Sequence, residues 1–499
     1  MSGMNIFNQD RSPGLLKAAL ALFLLGCLLY ALLFAYHGAR QVMFPYDIDN
    51  SEGFLLYQAM RLAEGEFLYP PLAEAPYLVD NYPPVYPLLS AIVVKWTGPA
   101  FFWPRLLSFL ATLGTACVLA LWVKTLTQNR WAAVAAALVY LSFYHVYQWG
   151  ALARVDALGV FFAVWALLRA ERSGAGNSAL GLLLLALFTR HSLLAAPLAV
   201  IAWLWQAQGW RAALRFGAAL AISGVVLLGG LALFSDGRVF WHLVVYNINL
   251  FSLTDVWLNF RHWFLFYSVW GAMPFALVLL GSRLSGLQGQ SQGGLLVWFS
   301  LFAIGEALLC GKIGSAPNYF LPLAAAASAG VGIWLAHAWR AAWSVSSDKR
   351  DPLPMAIFVA AGIIQLVATV HWPHTSVDFA ETPTRTQTQA GRFIERDLRG
   401  IEGPVFADLA GIALRAGHNP SAQPFICTQL AREGKWAPQP FLDDLRTGAF
   451  QAVLFHFDVH SPNWDRRRFL PEMIEAVRHN YQLRNQVGRY YLYEPIPAN

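Results

Sequence analysis

Charge is what this chain has least of. Asp, Glu, Lys and Arg make up 13% of its 499 residues, against about 25% in an ordinary soluble domain. With 57% hydrophobic residues and a mean hydropathy of +0.44, it is neither a disordered chain, nor a collagen-like repeat, nor an ordinary cytosolic enzyme. Cysteine is also scarce. Cys27, Cys117, Cys310 and Cys427 form no C-x-x-C pair, which excludes a zinc ribbon and a disulfide framework. No long-period repeat and no low-complexity segment occurs. The Gly-rich stretch 285–294 reads as a flexible loop with nothing cationic enough for nucleic acid.

The charge that remains is unevenly placed. Residues 1–375 hold 21 Lys+Arg and 15 Asp+Glu, whereas 376–499 hold 14 of each. The pattern predicts an α-helical polytopic membrane domain over 1–375 and a small, soluble C-terminal α/β domain over 376–499. A helix crossing a bilayer needs about 20 mainly apolar residues. Eleven stretches qualify, several of them short: 15–36, 103–123, 131–147, 152–169, 178–189, 192–206, 212–234, 262–282, 295–311, 317–339 and 353–372. The first is too long for a signal-peptide core and no cleavage site follows it, so it reads as an uncleaved span. With the N-terminus inside, the inner loops collect Arg11, Lys17, Lys124, Arg130, Arg169, Arg172, Arg211, Arg215, Arg283, Arg340, Lys349 and Arg350. The loop 37–102 and the tail then lie outside. Trp149, Trp241, Trp263 and Trp372, near span ends, fit an aromatic belt.

Seven of the 15 acids of the membrane part fall between residues 44 and 84: Asp47, Asp49, Glu52, Glu64, Glu66, Glu74 and Asp80. In "FPYDIDNSEGFLLYQAMRLAEGEF", Asn50 or Ser51 caps a helix with body 52–64 and Gly65 beyond it. Its apolar side (Phe54, Leu55, Met60, Leu62, Ala63) predicts a helix lying along the outer membrane surface. Carboxylates just past the first span have water excluded on one side, which tunes them for proton transfer. Acids at a helix start are also favoured by its dipole, so Glu52 reads equally as a first-turn acid. After Tyr82, Pro84 opens a second surface helix that ends before Gly98, with Lys95 as a snorkelling anchor.

The cations at the outer ends of the spans run against the positive-inside tendency. Arg105 starts one span; Arg154 and Asp156 start another in "ALARVDALGV". Arg190 and His191 occupy a tight turn, and Lys312, Asn318 and Tyr319 flank a Gly-Ser-Pro break. Arg238 and Arg261 lie further along. One by one, these cations bind headgroups; as a set they predict a shared site for a lipid phosphate, which Arg meets with paired hydrogen bonds. Glu306, within a span, reads as a polar pin between helices.

The strings "DNSEGFLLYQAMRLAEGEFLY", "YPPVYPLL", "RLLS", "ARVDAL", "TRHSLLAAP" and "GKIGSAPNYFLP", with the layout around them, resemble the GT-C class of membrane glycosyltransferases. The relatives in view are aminoarabinose and mannosyl transferases and protein O-mannosyltransferases, and the resemblance covers nearly the whole chain. It implies a polyprenyl-phosphate-linked sugar as donor, a glycan, lipid or protein acceptor, and an inverting transfer at the outer face of the bacterial cytoplasmic membrane. It also implies a first-loop acid as base and an Arg/Lys set on the donor phosphate: Arg105, Arg154, Arg190 and Lys312, with Tyr82, Asp156, His191, Asn318 and Tyr319 nearby. Many relatives carry Asp-Glu where Ser51-Glu52 stands here. The ranking for the base is therefore Asp49, then Glu52, then Asp47. These three acids also offer oxygen ligands to a divalent cation, although the metal-free version is preferred. A transporter or flippase of a lipid-linked sugar is the rival, sharing the spans and the cations, but no internal repeat supports it.

In the tail, "RFIERDLRG" and "RRRFLPEMIEAVRHNY" read as helices, and "GPVFADL", "QAVLFHF" and "GRYYLYEP" as strands. His456, Asp458 and His460 alternate as metal ligands would, but a loop after a strand is the plainer reading. "DRRR" at 465–468 reads as a solvated helix start.

Overall fold

The computed structural model describes residues 11–266, 269–284, 294–343, 359–364, 367 and 382–497. The expected span 353–372, Trp372, the Gly-rich loop and the Lys349–Arg350 pair lie wholly or mainly outside these residues. Among the described residues, five helices are long and apolar enough to cross a membrane, spanning Gly14–Met43, Phe102–Thr127, Trp210–Phe234, Gly294–Gly311 and Pro317–Arg340. Shorter apolar helices pack among them, so the chain is an integral membrane protein whose described spans include several that are less than one bilayer long.

In chain order the helices are α1 (Arg11–Met43), α2 (Glu52–Ala63), α3 (Val85–Thr97), α4 (Phe102–Thr127) and α5 (Arg130–Leu141). Then follow α6 (Tyr144–Trp149), α7 (Val155–Ser173), α8 (Asn177–Thr189), α9 (Ala195–Gln208) and α10 (Trp210–Phe234). The last of the bundle are α11 (Arg238–Leu243), α12 (Leu253–Phe266), α13 (Met273–Leu284), α14 (Gly294–Ala307) and α15 (Leu321–Trp343). The Ala- and Gly-rich α15 runs through the centre. A Cβ on Gly332 would stand 2.8 Å from that of Ala136 on α5, so small residues there let the two backbones approach. By contrast, α10 leaves Ile222, Val225, Val226 and Leu233 exposed, as a lipid-facing helix should. Glu306 is indeed a pin: its Oε2 accepts the Ala195 N–H at the start of α9 at 2.9 Å.

The C-terminal part continues with α16 (Arg385–Arg399), β1 (Val405–Ala407), α17 (Ala410–Ala416), α18 (Pro424–Arg432) and α19 (Gln439–Arg446). It ends with β2 (Ala452–Phe455), α20 (Pro471–Asn480), β3 (Tyr481–Val487) and β4 (Tyr490–Pro495). The sheet order is β1-β2-β4-β3, with β1 and β2 parallel and the other pairs antiparallel. Strand alternation sends Phe406, Val453 and Phe455 into one core and Val405, Ala407, Ala452 and Leu454 into another, so both faces are covered. The long loop between α1 and α4 belongs to both cores. Leu72, Tyr77 and Val79 join the first and Phe44 and Tyr46 the second. Tyr77 also pairs with Ala422 in an isolated parallel bridge.

This embrace changes the reading of α2. It has no exposed residue, because α3 packs on one side and α17 on another. A Cβ on Gly53 would meet the Gly411 backbone nitrogen at 2.3 Å. The helix is sandwiched between the membrane part and the sheet domain, not laid on lipid. The exposed apolar face that such a role needs is found on α3, along Leu88, Leu89, Ile92 and Trp96. The aromatic belt is also thinner than expected. Trp241 is exposed, but Trp149 is buried and Trp263 sits in the core against Phe143 and Phe320.

Candidate active site

Behind the site lies a fully buried frame. Glu52 turns back from the first turn of α2 instead of leaving capping to Asn50 or Ser51. Its Oε2 accepts the backbone N–H groups of Ile48 and Asp49 at 2.8 and 3.0 Å, and its Oε1 that of Ala153 at 2.7 Å. Arg105, from the start of α4, forks onto both oxygens at 2.8 and 2.7 Å. The remaining Arg105 donors go to the carbonyls of Gln41, Phe44 and Tyr46. Every guanidinium N–H is thereby used. Arg105 has none left for a donor phosphate, and Glu52, with five donors on two oxygens, has no lone pair left for a proton in transit. The pair fixes the path of the chain from α1 into α2.

Asp47 is buried too, and it joins the two parts of the molecule. Its carboxylate oxygens accept the N–H groups of Gly411 and Ile412, both at 3.0 Å, in the first turn of α17. Arg489 donates to its backbone oxygen. Burial, reinforced by the charge of Glu52, pushes the Asp47 carboxyl up to about 6 against the pull of Gly411, Arg489 and Arg105.

Asp49 is the accessible one of the three, with 27% of its side chain open. Arg154 Nη1 and the Ser51 N–H both bond to its Oδ1, at 2.7 and 3.0 Å. Among the described residues, Oδ2 receives no hydrogen bond. Burial raises the carboxyl, but Arg154 outweighs it and holds Asp49 below the usual carboxylate value. Arg154 also reaches Asp156 at 3.3 Å and the Tyr82 hydroxyl at 3.0 Å. Asp156, buried at the start of α7, pairs with Arg190 at 2.7 Å and accepts from Asn318 at 2.8 Å. Arg190 in turn lies over the Tyr319 ring, 4.1 Å from its centre. One buried aspartate thus aligns two arginines and an asparagine from three distant segments.

These groups surround a cavity of about 350 Å³, a size suited to a small ligand or headgroup. Asp49, Tyr82, Arg154, Arg190, His191, Lys312, Asn318 and Tyr319 all line it. Asp47, Glu52, Arg105 and Asp156 do not; they stand behind or beside it as supports. Arg238 and Arg261 are not part of its wall either. Lys312 is held by the Asn247 Oδ1 at 2.8 Å, and burial lowers its ammonium. His191 is held down to about 4 by burial and by the neighbouring Lys312 and Arg190, so it is neutral at pH 7.

The sheet domain supplies a roof that sequence reasoning missed. Gln423, Phe425 and Gln429 line the cavity, and so does Arg468, from the "DRRR" string read as a solvated helix start. Arg468 donates through Nη2 to the Asp408 carbonyl at 3.1 Å, while its buried Nε has no partner among the described residues. Four cations therefore face a cavity whose one lining carboxylate among the described residues is Asp49. The three first-loop acids do not fit a divalent cation, because Glu52 and Asp47 have already committed their oxygens to arginine and backbone N–H groups. In the tail, His456 pairs with the buried Asp408. Among the described residues no group of three His, Cys, Asp or Glu stands as a metal site.

No protein-family profile matches the sequence. Among solved structures, the chain is similar to ArnT from Cupriavidus metallidurans bound to undecaprenyl phosphate. The TM-score is 0.59 at 12% identity, over 94% of this chain and 98% of that one. The same protein in its apo state gives 0.57 at 11% identity, over 94% and 97%. The chain has the GT-C fold. An oligosaccharyltransferase from Archaeoglobus fulgidus, tethered to an acceptor peptide, gives a TM-score of 0.49 at 12% identity, over 92% of this chain and 72% of that one. In this GT-C chain the likeness to ArnT runs nearly end to end, through the bundle, the first loop and the C-terminal sheet domain.

Proposed function

We propose that this chain is an inverting glycosyltransferase that moves a sugar from a polyprenyl-phosphate donor to an acceptor at the outer face of the cytoplasmic membrane. The N-terminus is inside. The transferase domain comprises 1–375 with its outside loop 37–102, and the domain 376–499 lies outside. The observation that carries the reading is Asp49, a reachable carboxylate on the wall of a cavity whose other charged lining residues are four cations. ArnT, which shares the fold, binds undecaprenyl phosphate, and the cation set here suits the same chemistry.

In this account Arg154, Arg190, Lys312 and Arg468 take the donor phosphate. The bond from the anomeric carbon to the phosphate oxygen breaks, and its electron pair leaves on the phosphate, where the cations meet the growing charge. The acceptor oxygen attacks the opposite face of the sugar, and its proton passes to Asp49. Arg154 couples the two events. While it bonds Asp49 it weakens that base; once it turns to the phosphate, Asp49 becomes the stronger base. The neutral His191 and the Tyr82 and Asn318 side chains are placed to hold sugar hydroxyls. A carrier would need its site near the membrane midplane, open in turn to each side. This cavity is instead roofed by the sheet domain.

The test is an assay of the purified chain in nanodiscs with a series of radiolabelled polyprenyl-phosphate sugars, reading release of polyprenyl phosphate. Release from at least one donor, abolished in an Arg154→Gln, Arg190→Gln double variant, is the expected result. No release from any donor, or release indifferent to both arginines, would contradict it.

A further inference from the structure

Of the alternating residues His456, Asp458 and His460, the transfer mechanism uses none, and the structure separates them. One oxygen of Asp458 accepts the Tyr493 hydroxyl and the His460 backbone N–H, at 3.1 and 2.9 Å, and His460 is exposed. His456 alone of the three turns inward, through Nδ1, to the carboxylate of Asp408. We infer that His456 is a positioning residue for the donor site: by holding the Asp408 carboxylate it keeps Arg468 free to reach the donor phosphate. The inference rests on the transferase reading and adds to it a residue that does not line the cavity.

The sheet brings these groups together. Strands β1 and β2 run parallel, and Asp408 and His456 directly follow their last residues, Ala407 and Phe455. Open α/β sheets bind their ligands at this carboxyl edge. The Asp408 N–H donates to the Leu454 carbonyl at 3.1 Å, which fixes the main chain there. Arg468 arrives from the loop before α20, and its backbone is held as well. The N–H groups of Arg468 and Phe469 both donate to the Asp465 carbonyl, at 3.0 and 3.1 Å, and Phe469 is buried. What is left to vary is the Arg468 side chain.

That side chain stands between two anionic sites. On one side it lines the donor cavity, and Asp49, which burial raises and Arg154 lowers further, also feels its charge. On the other, its Nη2 donates to the Asp408 backbone carbonyl at 3.1 Å, beside a carboxylate that is the stronger acceptor. Asp408 is fully buried, and its Oδ2 takes His456. The Asp408 Oδ1 and the Arg468 Nε have no partners among the described residues. With His456 in place the carboxylate is compensated, and an incoming phosphate can draw the guanidinium. Without His456 a buried carboxylate is left alone, an expensive state in a desolvated site. The remedy at hand is for Arg468 to turn from the carbonyl to the carboxylate in a paired contact. Both unpartnered atoms are then satisfied, and the cavity loses its fourth cation. Arg489, the other cation at this edge, is turned to the Asp47 backbone oxygen.

The test uses the full chain in nanodiscs and the donor that supports polyprenyl-phosphate release, with melting followed alongside. His456 is 33% exposed, so truncating it opens no void in the core. His456→Ala should raise KM for the donor about tenfold, as Arg468→Gln does, because each removes one charge-assisted hydrogen bond to the phosphate. Adding Asp408→Asn removes the carboxylate that captures Arg468 and keeps the carbonyl, so KM returns to within twofold of the wild type. A purely structural His456 gives the opposite result, since the second substitution then only adds damage. In the His456→Ala chain, where Arg468 has become the partner of Asp408, Arg468→Gln should lower the melting temperature by several degrees. In the wild type it should hardly move it. An unchanged KM in His456→Ala overturns the inference, as does a raised KM that Asp408→Asn fails to restore. Equal melting shifts in the two backgrounds do so as well. A His456→Ala chain that does not fold also overturns it, because Arg468 has then not taken over the charge. In all these cases wild-type release, and with it the transferase reading, still stands; no release by the wild type from any donor removes both.

Discussion

Glu52 and Arg105 meet as a two-pronged ion pair at 2.8 and 2.7 Å, and neither side chain reaches solvent. Removing one partner of such a pair leaves the other charge buried and uncompensated, at a cost of about 3–5 kcal/mol. Glu52→Gln should therefore lower the melting temperature sharply and reduce the yield of folded protein, with activity lost in proportion. A Glu52→Gln protein that melts with the wild type yet transfers no sugar would return Glu52 to the list of bases.

The pH profile separates the two other acids. A base must be ionised, so kcat/KM falls on the acid side through its pKa. Asp47 is pushed up to about 6, whereas Asp49 is held below the usual carboxylate value by Arg154. With Asp49 as base, kcat/KM measured between pH 8 and pH 5 stays flat as far as this group is concerned. An acid limb centred near pH 6, abolished in Asp47→Asn, would point to Asp47.

Arg468 tests whether the sheet domain takes part in donor binding. It reaches the cavity from the loop before α20, and its buried Nε has no partner among the described residues. Arg468→Gln should raise KM for the donor about tenfold, close to the value of one charge-assisted hydrogen bond. The melting temperature should hardly move. A KM equal to the wild type's would reduce this residue to a strut for Asp408.

The junction of the two parts depends on two glycines that face each other, Gly53 and Gly411. A Cβ at Gly411 would lie 2.2 Å from the Phe101 ring and 2.8 Å from the Asp47 carboxylate. Overpacking of this kind costs about 1–3 kcal/mol. Gly411→Ala should thus lower thermal stability and expose the junction to limited proteolysis. Gly417→Ala is no clean control, since Gly417 has a φ of +98°, so Gly400→Ala, with only an ordinary contact to its own chain, serves instead.

The charged half of the site was legible because charge is expensive in a membrane. Arg154, Arg190, Lys312 and Asp49 stood out in turns where apolar residues are the default, and all four face one cavity. What the sequence hid were relationships across hundreds of residues. Arg105 looked like Arg154 until its partner, Glu52, was seen to consume it. The α2 pattern reads as a surface helix because its second covering, α17, lies far away in the chain. Strand β3 was missed because it sits at the edge of the sheet and its alternation of Tyr481, Leu483 and Val487 with polar residues is broken at Asn485, where the pairing is irregular. Gln429 carries no signal at all, since a glutamine in a helix is ordinary until its neighbours are known.

The central claim is that Asp49, and not its buried neighbours, takes the acceptor proton. It is tested most directly by Asp49→Asn in nanodiscs with the donor and acceptor that the wild type uses. The account predicts a protein that melts within a few degrees of the wild type, binds the donor, and transfers at least about a thousandfold more slowly, within the reach of general-base catalysis. A folded Asp49→Asn protein that transfers sugar at the wild-type rate would contradict it.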